Sequence, residues 1–429
     1  MKIMGMIYLE IKKISGANGA ITVPGDKSIS HRAVMLGSLA KGVTKISGFL
    51  KGADCLSTID CFREMGINIE VDGTNVTVEG KGLHGLSAPK KQLYTGNSGT
   101  TTRLLCGILS GQRFDTSITG DSSICKRPMK RVAEPLSQMG AKIDGDYCPL
   151  TIYGTKLCGI EYQMKVASAQ VKTALILAAL YAEGETVIHE IEKSRDHTEL
   201  MLKAMGANLE VDGLTIRVNK TDELIAQDIE VPGDISSAAF FMVLGSILPN
   251  SCITLKNVGI NPTRTGIIDV MKAMNADIEI VNERVATGEP VADIIVRSSN
   301  LKGCEISGAL IPRLIDEIPV IAVAAVFADG ETVVKDAAEL KVKETNRIRA
   351  VVDEFAKCGI DITETDDGMI IRKSENIKGA DFKTYGDHRM AMSLTVLAQL
   401  LDGNSTLDDT DCIDISYPNF FDDFHSLCK

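Results

Sequence analysis

The apolar positions of the chain recur in blocks. Six stretches are apolar on every face for two or more turns: AVMLGSLA from Ala33, LLCGILSG from Leu104, LILAALYA from Leu175, FMVLGSIL from Phe241, VIAVAAVF from Val320 and LTVLAQLL from Leu394. A helix without a polar face belongs inside a domain, so each is predicted to be a buried helix. Their polar residues gather at the N-terminal end: GDKSISHR (Gly25–Arg32), GNSGTTTR (Gly96–Arg103), SAQVKTA (Ser168–Ala174), GDISSAAF (Gly233–Phe240), IDEIPVIA (Ile315–Ala322) and GDHRMAMS (Gly386–Ser393). After each body comes Gly or Asn and a short Val/Ile/Thr run, as in GVTKISGF and GETVVKDA.

A second element alternates with the first. CFREMGINIEVDGTNVTVEG from Cys61 recurs as PLSQMGAKIDGDYCPLTIYG from Pro135 and MLKAMGANLEVDGLTIRVNK from Met201. Looser copies are VMKAMNADIEIVNE from Val270 and FAKCGIDITETDDGMIIRKS from Phe355. Each reads as an amphipathic helix closed by Gly, followed by a β-hairpin. The repeating unit is therefore β-α-β-α-β-β, present six times with the last copy truncated. The fold class is α/β (α+β). VPGD occurs at Val23 and again at Val231, opening two equivalent helices.

A helix start presents free N–H groups and the positive end of the dipole, a natural place for an anion. Ser, Thr, Asp and Asn there are also ordinary caps, and capping alone accounts for GDISSAAF. It does not account for Lys27, His31 and Arg32, for Arg103, or for His388 and Arg389, because cations oppose the dipole. These point to bound anions. Two more segments concentrate charge: GDSSICKRPMKR (Gly120–Arg131) and LKVKETNRIR (Leu340–Arg349), the latter expected to set Lys343, Glu344 and Arg347 on neighbouring helical faces. GKGLHG at residues 80–85 matches a dinucleotide fingerprint, but SAPKK follows it and no helix can open there.

Composition narrows the class. With 44% hydrophobic and 24% charged residues the chain is ordinary globular material, long enough for two or three domains. A net charge of −11, no Trp and 4% aromatics argue against nucleic acid as a partner. No stretch approaches a membrane span, and MKIMGMIYLEIKK does not read as a signal peptide. The eleven cysteines form no C-x-x-C pair and read as reduced cytoplasmic thiols. Cys125 lies beside Lys126 and Arg127, yet reads as a passive thiol. The six histidines show no ligand spacing, so neither metal nor cofactor is expected.

In order along the chain, GDKSISHR, GNSGTTTR, KRPMKR, SAQVK, LIDEIPV, VKETNR and GDHRMAM resemble the 5-enolpyruvylshikimate-3-phosphate synthase family. The resemblance runs nearly end to end. It implies two similar lobes, each of three βαβαββ units in a pseudo-threefold arrangement, with buried helix N-termini facing an interlobe cleft. One lobe would span residues 24–231 and the other residues 1–23 plus 232–429, with hinge crossings near 23–25 and 231–233. The implied reaction moves the enolpyruvyl group of phosphoenolpyruvate to the 5-hydroxyl of shikimate 3-phosphate and releases phosphate, in a cytoplasmic monomer. Such chemistry needs an acid for the methylene, a base for the hydroxyl, cations for two phosphates and two carboxylates, and exclusion of water.

Carried over by residue, the resemblance implies that Lys27, Ser28, Arg32, Ser168, Gln170, Ser194, Arg195, Asp316 and Lys343 bind shikimate 3-phosphate. Lys27, Asn97, Gly99, Arg127, Gln170, Glu344, Arg347, His388 and Arg389 would bind phosphoenolpyruvate. Asp316 would be the base and Glu344 the acid, with Lys27 between both substrates; the two labels can exchange between addition and elimination. Ala169, Glu339, the run Ser194-Arg195-Asp196-His197, and DISYPNFF without a Lys depart from the enterobacterial pattern. The resemblance also implies that Gly99 in the phosphoenolpyruvate loop would leave room for glyphosate. Three other readings compete with this one. A UDP-N-acetylglucosamine enolpyruvyl transferase would show Lys-Asn at Lys27-Ser28 and a Cys at Ser122. An RNA-related protein of the same units would be basic and aromatic. A silent anion-binding repeat would have no use for Asp316 and Glu344.

Overall fold

The computed structural model describes residues 9–427. Met1–Tyr8, the greater part of the segment that does not read as a signal peptide, lies outside them. The chain forms two compact units: Gly25–Pro232 with Val285–Glu289, and Met1–Pro24 with Gly233–Arg284 and Pro290–Lys429.

All six apolar stretches are helices: Lys27–Leu39, Gly99–Ser110, Ala169–Ala179, Ile235–Ile247, Ile318–Val326 and His388–Ala398. Nearly every residue in them is buried, as the absence of a polar face requires. In the unit containing Gly233–Arg284, the helices 235–247, 318–326 and 388–398 pack on one another and form the centre of the core. In the other unit the helices 99–110 and 169–179 approach so closely that a Cβ on Gly107 would lie 2.2 Å from the Ala174 carbonyl oxygen. Only glycine fits there.

Each repeat closes its own sheet, giving six sheets among the described residues. In Leu93–Tyr94, Thr116–Thr119, Leu150–Tyr153 and Lys142–Asp144, in spatial order, the first pair is parallel and the rest antiparallel. The five hairpin-bearing helices end on left-handed residues, Gly66, Gly140, Gly206, Asn275 and Gly359. Asn275 replaces the usual Gly at φ 69°, a conformation that Asn tolerates better than most side chains.

Two strands come from far along the chain. Ile229–Glu230 lies parallel to Lys41–Ser47 and is the first strand of the repeat holding GDKSISHR. Asn18–Ile21 lies parallel to Cys252–Gly259 and serves the repeat holding GDISSAAF. The two VPGD segments follow these strands and bond reciprocally: Asp26 N–H donates to the Pro232 carbonyl at 2.7 Å, and Asp234 N–H to that of Pro24 at 2.8 Å. The truncated sixth repeat is completed by Leu9–Ile11, which pairs antiparallel with Ser405–Leu407. No helix among the described residues is long and apolar enough to cross a membrane.

Candidate active site

Three of the buried helices bring their N-termini into one polar group in the unit of Gly25–Pro232. Asp26 caps the first by accepting from Ile29 N–H at 2.8 Å. Lys27, one residue on, forms an ion pair with the buried carboxylate of Asp54. Arg32 is nearly sequestered, and its guanidinium is fixed on three sides: Nε donates to Thr198 Oγ1 at 2.7 Å, Nη1 to the Ser28 carbonyl at 2.9 Å and Nη2 to Thr173 Oγ1 at 3.0 Å. Arg195 Nη1 reaches Ser28 Oγ at 3.4 Å. Lys27, Ser28, Arg32 and Arg195 thus belong to one patch.

The second helix start carries the Asn97–Gly99 loop. Ser98 caps it, accepting from Thr101 N–H at 3.0 Å. Arg127 Nη2 donates to Asn97 Oδ1 at 2.5 Å, joining the KRPMKR segment to that loop. Arg103 Nη1 donates to Gln170 Oε1 at 2.5 Å, and Gln170 Nε2 to Thr100 Oγ1 at 3.1 Å. Gln170 follows the Ser168 cap of the third helix, so loop and helix are clasped side by side. A Cβ on Gly99 would lie 3.0 Å from Arg103 Nη1 and 3.4 Å from Arg127 Nη1.

The third helix itself carries a cation that the fold buries. Lys172 is fully buried between Glu190 at 3.2 Å and Glu199 at 2.7 Å, and donates to the Ser194 carbonyl at 3.2 Å. Ser194 N–H in turn donates to Glu190 Oε1 at 3.0 Å. Ser194 and Arg195 are therefore held from beneath by a buried ion cluster. His31 is also fully buried. Desolvation first, then the charges of Lys27 and Arg32, hold its pKa well below the ordinary 6.5, so the ring is neutral.

The other unit gathers the carboxylates. Arg347 is enclosed by three of them: Nε lies 2.9 Å from Asp387 Oδ2, Nη2 2.7 Å from Glu344 Oε2, and Nη1 3.3 Å from Asp316 Oδ1. Burial works against its charge, yet the three carboxylates prevail and hold its pKa above the ordinary arginine value. Lys343 Nζ stands 3.3 Å from Asp316 Oδ1. Asp387 also caps the helix of His388 and Arg389, accepting from Arg389 N–H at 2.9 Å. The expected helical setting of this group is corrected: Lys343 follows a short 3-10 turn in extended conformation, and the helix opens only at Arg347, capped by Asn346. Asn346 makes the better cap, so Lys343 and Glu344 are left on the preceding loop.

GDISSAAF is more than a cap. Asp234 caps its helix through Ser236 N–H at 2.9 Å, but also pairs with buried Arg264 at 3.1 Å. Arg264 donates to Ser236 Oγ at 2.7 Å, and Ser236 bonds Glu317, the neighbour of Asp316. Asp54, Thr173, Thr198 and Lys172, none of them a candidate from the sequence, also join these groups. Lys172, like Arg103, carried a signal, a cation near a helix start; Asp54, Thr173 and Thr198 carried none. Cys125 is half-buried with its Sγ 3.6 Å from the Gly120 carbonyl oxygen. Among the described residues, no group of three or more His, Cys, Asp or Glu side chains is placed to hold a metal ion.

Residues 11–424 match the family model described as EPSP synthase (3-phosphoshikimate 1-carboxyvinyltransferase). The chain belongs to the EPSP synthase family. It is 56% identical over 422 residues to the 3-phosphoshikimate 1-carboxyvinyltransferase of Thermoanaerobacter sp. (strain X514), covering 98% of this chain and 100% of that one. It is 52% identical over 426 residues to that of Oceanobacillus iheyensis, covering 98% and 99%. The solved EPSP synthase of Acinetobacter baumannii superposes with a TM-score of 0.87 at 44% identity over 98% of both chains. The two-lobed α/β fold and the enolpyruvyl transfer implied by the sequence resemblance are those of this family.

Proposed function

We propose that this protein transfers the enolpyruvyl group of phosphoenolpyruvate to the 5-hydroxyl of shikimate 3-phosphate, with Glu344 as acid and Asp316 as base. The observation that carries the assignment is the sharing of one guanidinium, Arg347, by both carboxylates. Lys27, Ser28, Arg32, Ser168, Gln170, Ser194, Arg195 and Lys343 hold shikimate 3-phosphate. Lys27, Asn97, Gly99, Arg127, Gln170, Arg347, His388 and Arg389 hold phosphoenolpyruvate. Arginine forks suit its carboxylate and phosphate because each can be met by two parallel N–H donors. Residues 24–231 then supply most acceptor contacts, and residues 1–23 plus 232–429 the acid and base. The protein acts as a cytoplasmic monomer without a nucleic-acid partner.

The addition needs a proton on the methylene as the 5-hydroxyl oxygen bonds the neighbouring carbon. Glu344 gives that proton and Asp316 takes the hydroxyl proton. Elimination then breaks the carbon–oxygen bond to phosphate and removes a proton from the new methyl group, leaving the enol ether. The ion pair with Arg347 favours the carboxylate form of Glu344, which is no donor. A substrate carboxylate that takes over Arg347 frees Glu344 to carry a proton. Substrate binding thereby arms the acid.

The test is phosphate release from phosphoenolpyruvate in metal-free buffer, with shikimate 3-phosphate or UDP-N-acetylglucosamine as acceptor. Release with shikimate 3-phosphate alone supports the assignment. Release with the sugar nucleotide alone refutes the reading of Lys27, Ser28 and Arg32.

A further inference from the structure

Four side chains join the first helix start to the second. His31 Nδ1 lies 2.7 Å from Thr58 Oγ1, Thr58 Oγ1 lies 2.7 Å from Thr101 Oγ1, and the Thr101 hydroxyl donates to Ser98 Oγ at 2.7 Å. All four residues are buried. Ser98 is the cap of the helix that follows Asn97 and Gly99. His31 stands between Lys27 and Arg32 in the sequence, and Thr58 lies one turn beyond Asp54, the ion-pair partner of Lys27.

The proton order along these four side chains follows from counting and distance. A hydroxyl has one proton to give. That of Thr101 goes to Ser98, so the Thr58–Thr101 bond at 2.7 Å needs the proton of Thr58, whose other acceptor, the Asp54 carbonyl, is much farther off at 3.4 Å. Thr58 then has none for His31, and Nδ1 of the imidazole must carry the hydrogen. Every bond runs one way, from His31 through Thr58 and Thr101 to Ser98. The ring's Nε2, buried and without a hydrogen-bond partner, is left as a bare acceptor. The opposite tautomer would break the chain at its first link, and the doubly protonated ring would bury a second N–H beside two cations. A Ser98 oxygen that already accepts from Thr101 Oγ1 and Thr101 N–H is fixed in place, and with it the backbone entering the helix at Gly99.

We propose that His31, Thr58 and Thr101 are positioning residues for the donor substrate: a one-way hydrogen-bond relay holds the Asn97–Gly99 loop against the helix of Lys27, Ser28 and Arg32. The relay rests on the proposed assignment of phosphoenolpyruvate to that loop. It touches no substrate itself. Its effect is to keep the donor loop in register with the helix carrying Lys27.

The test compares Thr101→Val, which keeps the shape and deletes the hydroxyl, with Thr101→Ser, which keeps the hydroxyl. Thr58→Val and Thr58→Ser repeat the comparison one link earlier, in case one position does not tolerate valine. The expected result is a rise in KM for phosphoenolpyruvate of about ten-fold in each Val variant, the equivalent of one buried neutral hydrogen bond. The KM for shikimate 3-phosphate and kcat should move by less than about three-fold, since the loop's contact serves ground and transition states alike. The Ser variants should recover most of the loss. A folded Val variant with unchanged KM for phosphoenolpyruvate, or with both KM values raised equally, overturns the relay. Turnover of the parent enzyme with these two substrates is measured first: its absence refutes the functional assignment, whereas normal parent turnover with indifferent variants refutes the relay alone.

Discussion

Glu344 Oε2 lies 2.7 Å from Nη2 of Arg347, a guanidinium only 2% exposed. The acid of the proposed reaction is thus paired with the arginine proposed to take the donor's carboxylate. In the proposed reaction, an acid so paired serves only after the substrate carboxylate has taken over the arginine.

Replacing Glu344 separates chemistry from binding. Glu344→Ala should lower kcat by about 10²–10⁴-fold, the range of a lost general acid. Shikimate 3-phosphate binding, measured by calorimetry, should persist, because its proposed phosphate contacts at Ser28 and Arg32 stand in the other unit of the chain. Full turnover in this variant would remove the acid role.

The six buried helices were legible because their apolar residues ignore the helical period, and the five hairpins because Gly or Asn closes each preceding helix. Both are local signals. Partners far along the chain were not legible. Leu9 pairs with Leu407 and Ile21 with Leu255, and no alternation of apolar residues tells a strand which sheet it joins. The cations proposed to bind anions, Lys27, Arg32, Arg127 and Arg347, stood out by opposing a helix dipole or by concentrating charge in a short segment. Their counter-charges did not. Asp54, Glu190 and Asp234 look like the common acidic residues of any helix start or loop. Only the fold turns them toward Lys27, Lys172 and Arg264.

Lys172 offers a stability test. Lys172→Met leaves Glu190 and Glu199 buried without their cation. Loss of one partner from a buried ion cluster costs about 3–5 kcal/mol. Urea unfolding should show a loss of that size, and adding Glu190→Gln and Glu199→Gln should recover part of it. A loss below about 1 kcal/mol would mean that water or proton uptake already relieves the cluster.

Gly99 sets the room in the donor loop. An alanine there places its methyl group 3.0 Å from Arg103 Nη1, tighter than ordinary contact. The guanidinium can give way, but it also holds Gln170. Gly99→Ala should therefore raise the KM for phosphoenolpyruvate by several-fold, about 1 kcal/mol of lost contact, and leave that for shikimate 3-phosphate near the parent value. Glyphosate should compete with phosphoenolpyruvate in the parent and compete less well in the variant. Absence of competition at millimolar glyphosate would show that the loop does not admit it.

His31 makes stability depend on pH with a defined sign. Its pKa in the folded chain is held well below the ordinary 6.5, first by burial and then by Lys27 and Arg32. Above 6.5 the ring is neutral in folded and unfolded chains, and contributes no slope. As pH falls below 6.5 the unfolded chain takes up a proton that the folded chain refuses, so folding stability falls, by up to about 1.4 kcal/mol per pH unit. His84, also lowered by burial and by Arg113 and Lys220, adds in the same direction. Comparison with His31→Leu isolates one proton from the carboxylates that titrate lower. Urea midpoints from pH 5 to 8 should fall less steeply in the variant below pH 6.5, and the two curves should run parallel above it. Parallel curves throughout would mean that His31 accepts a proton inside the fold, and the one-way hydrogen-bond chain to Ser98 would then lack its neutral head.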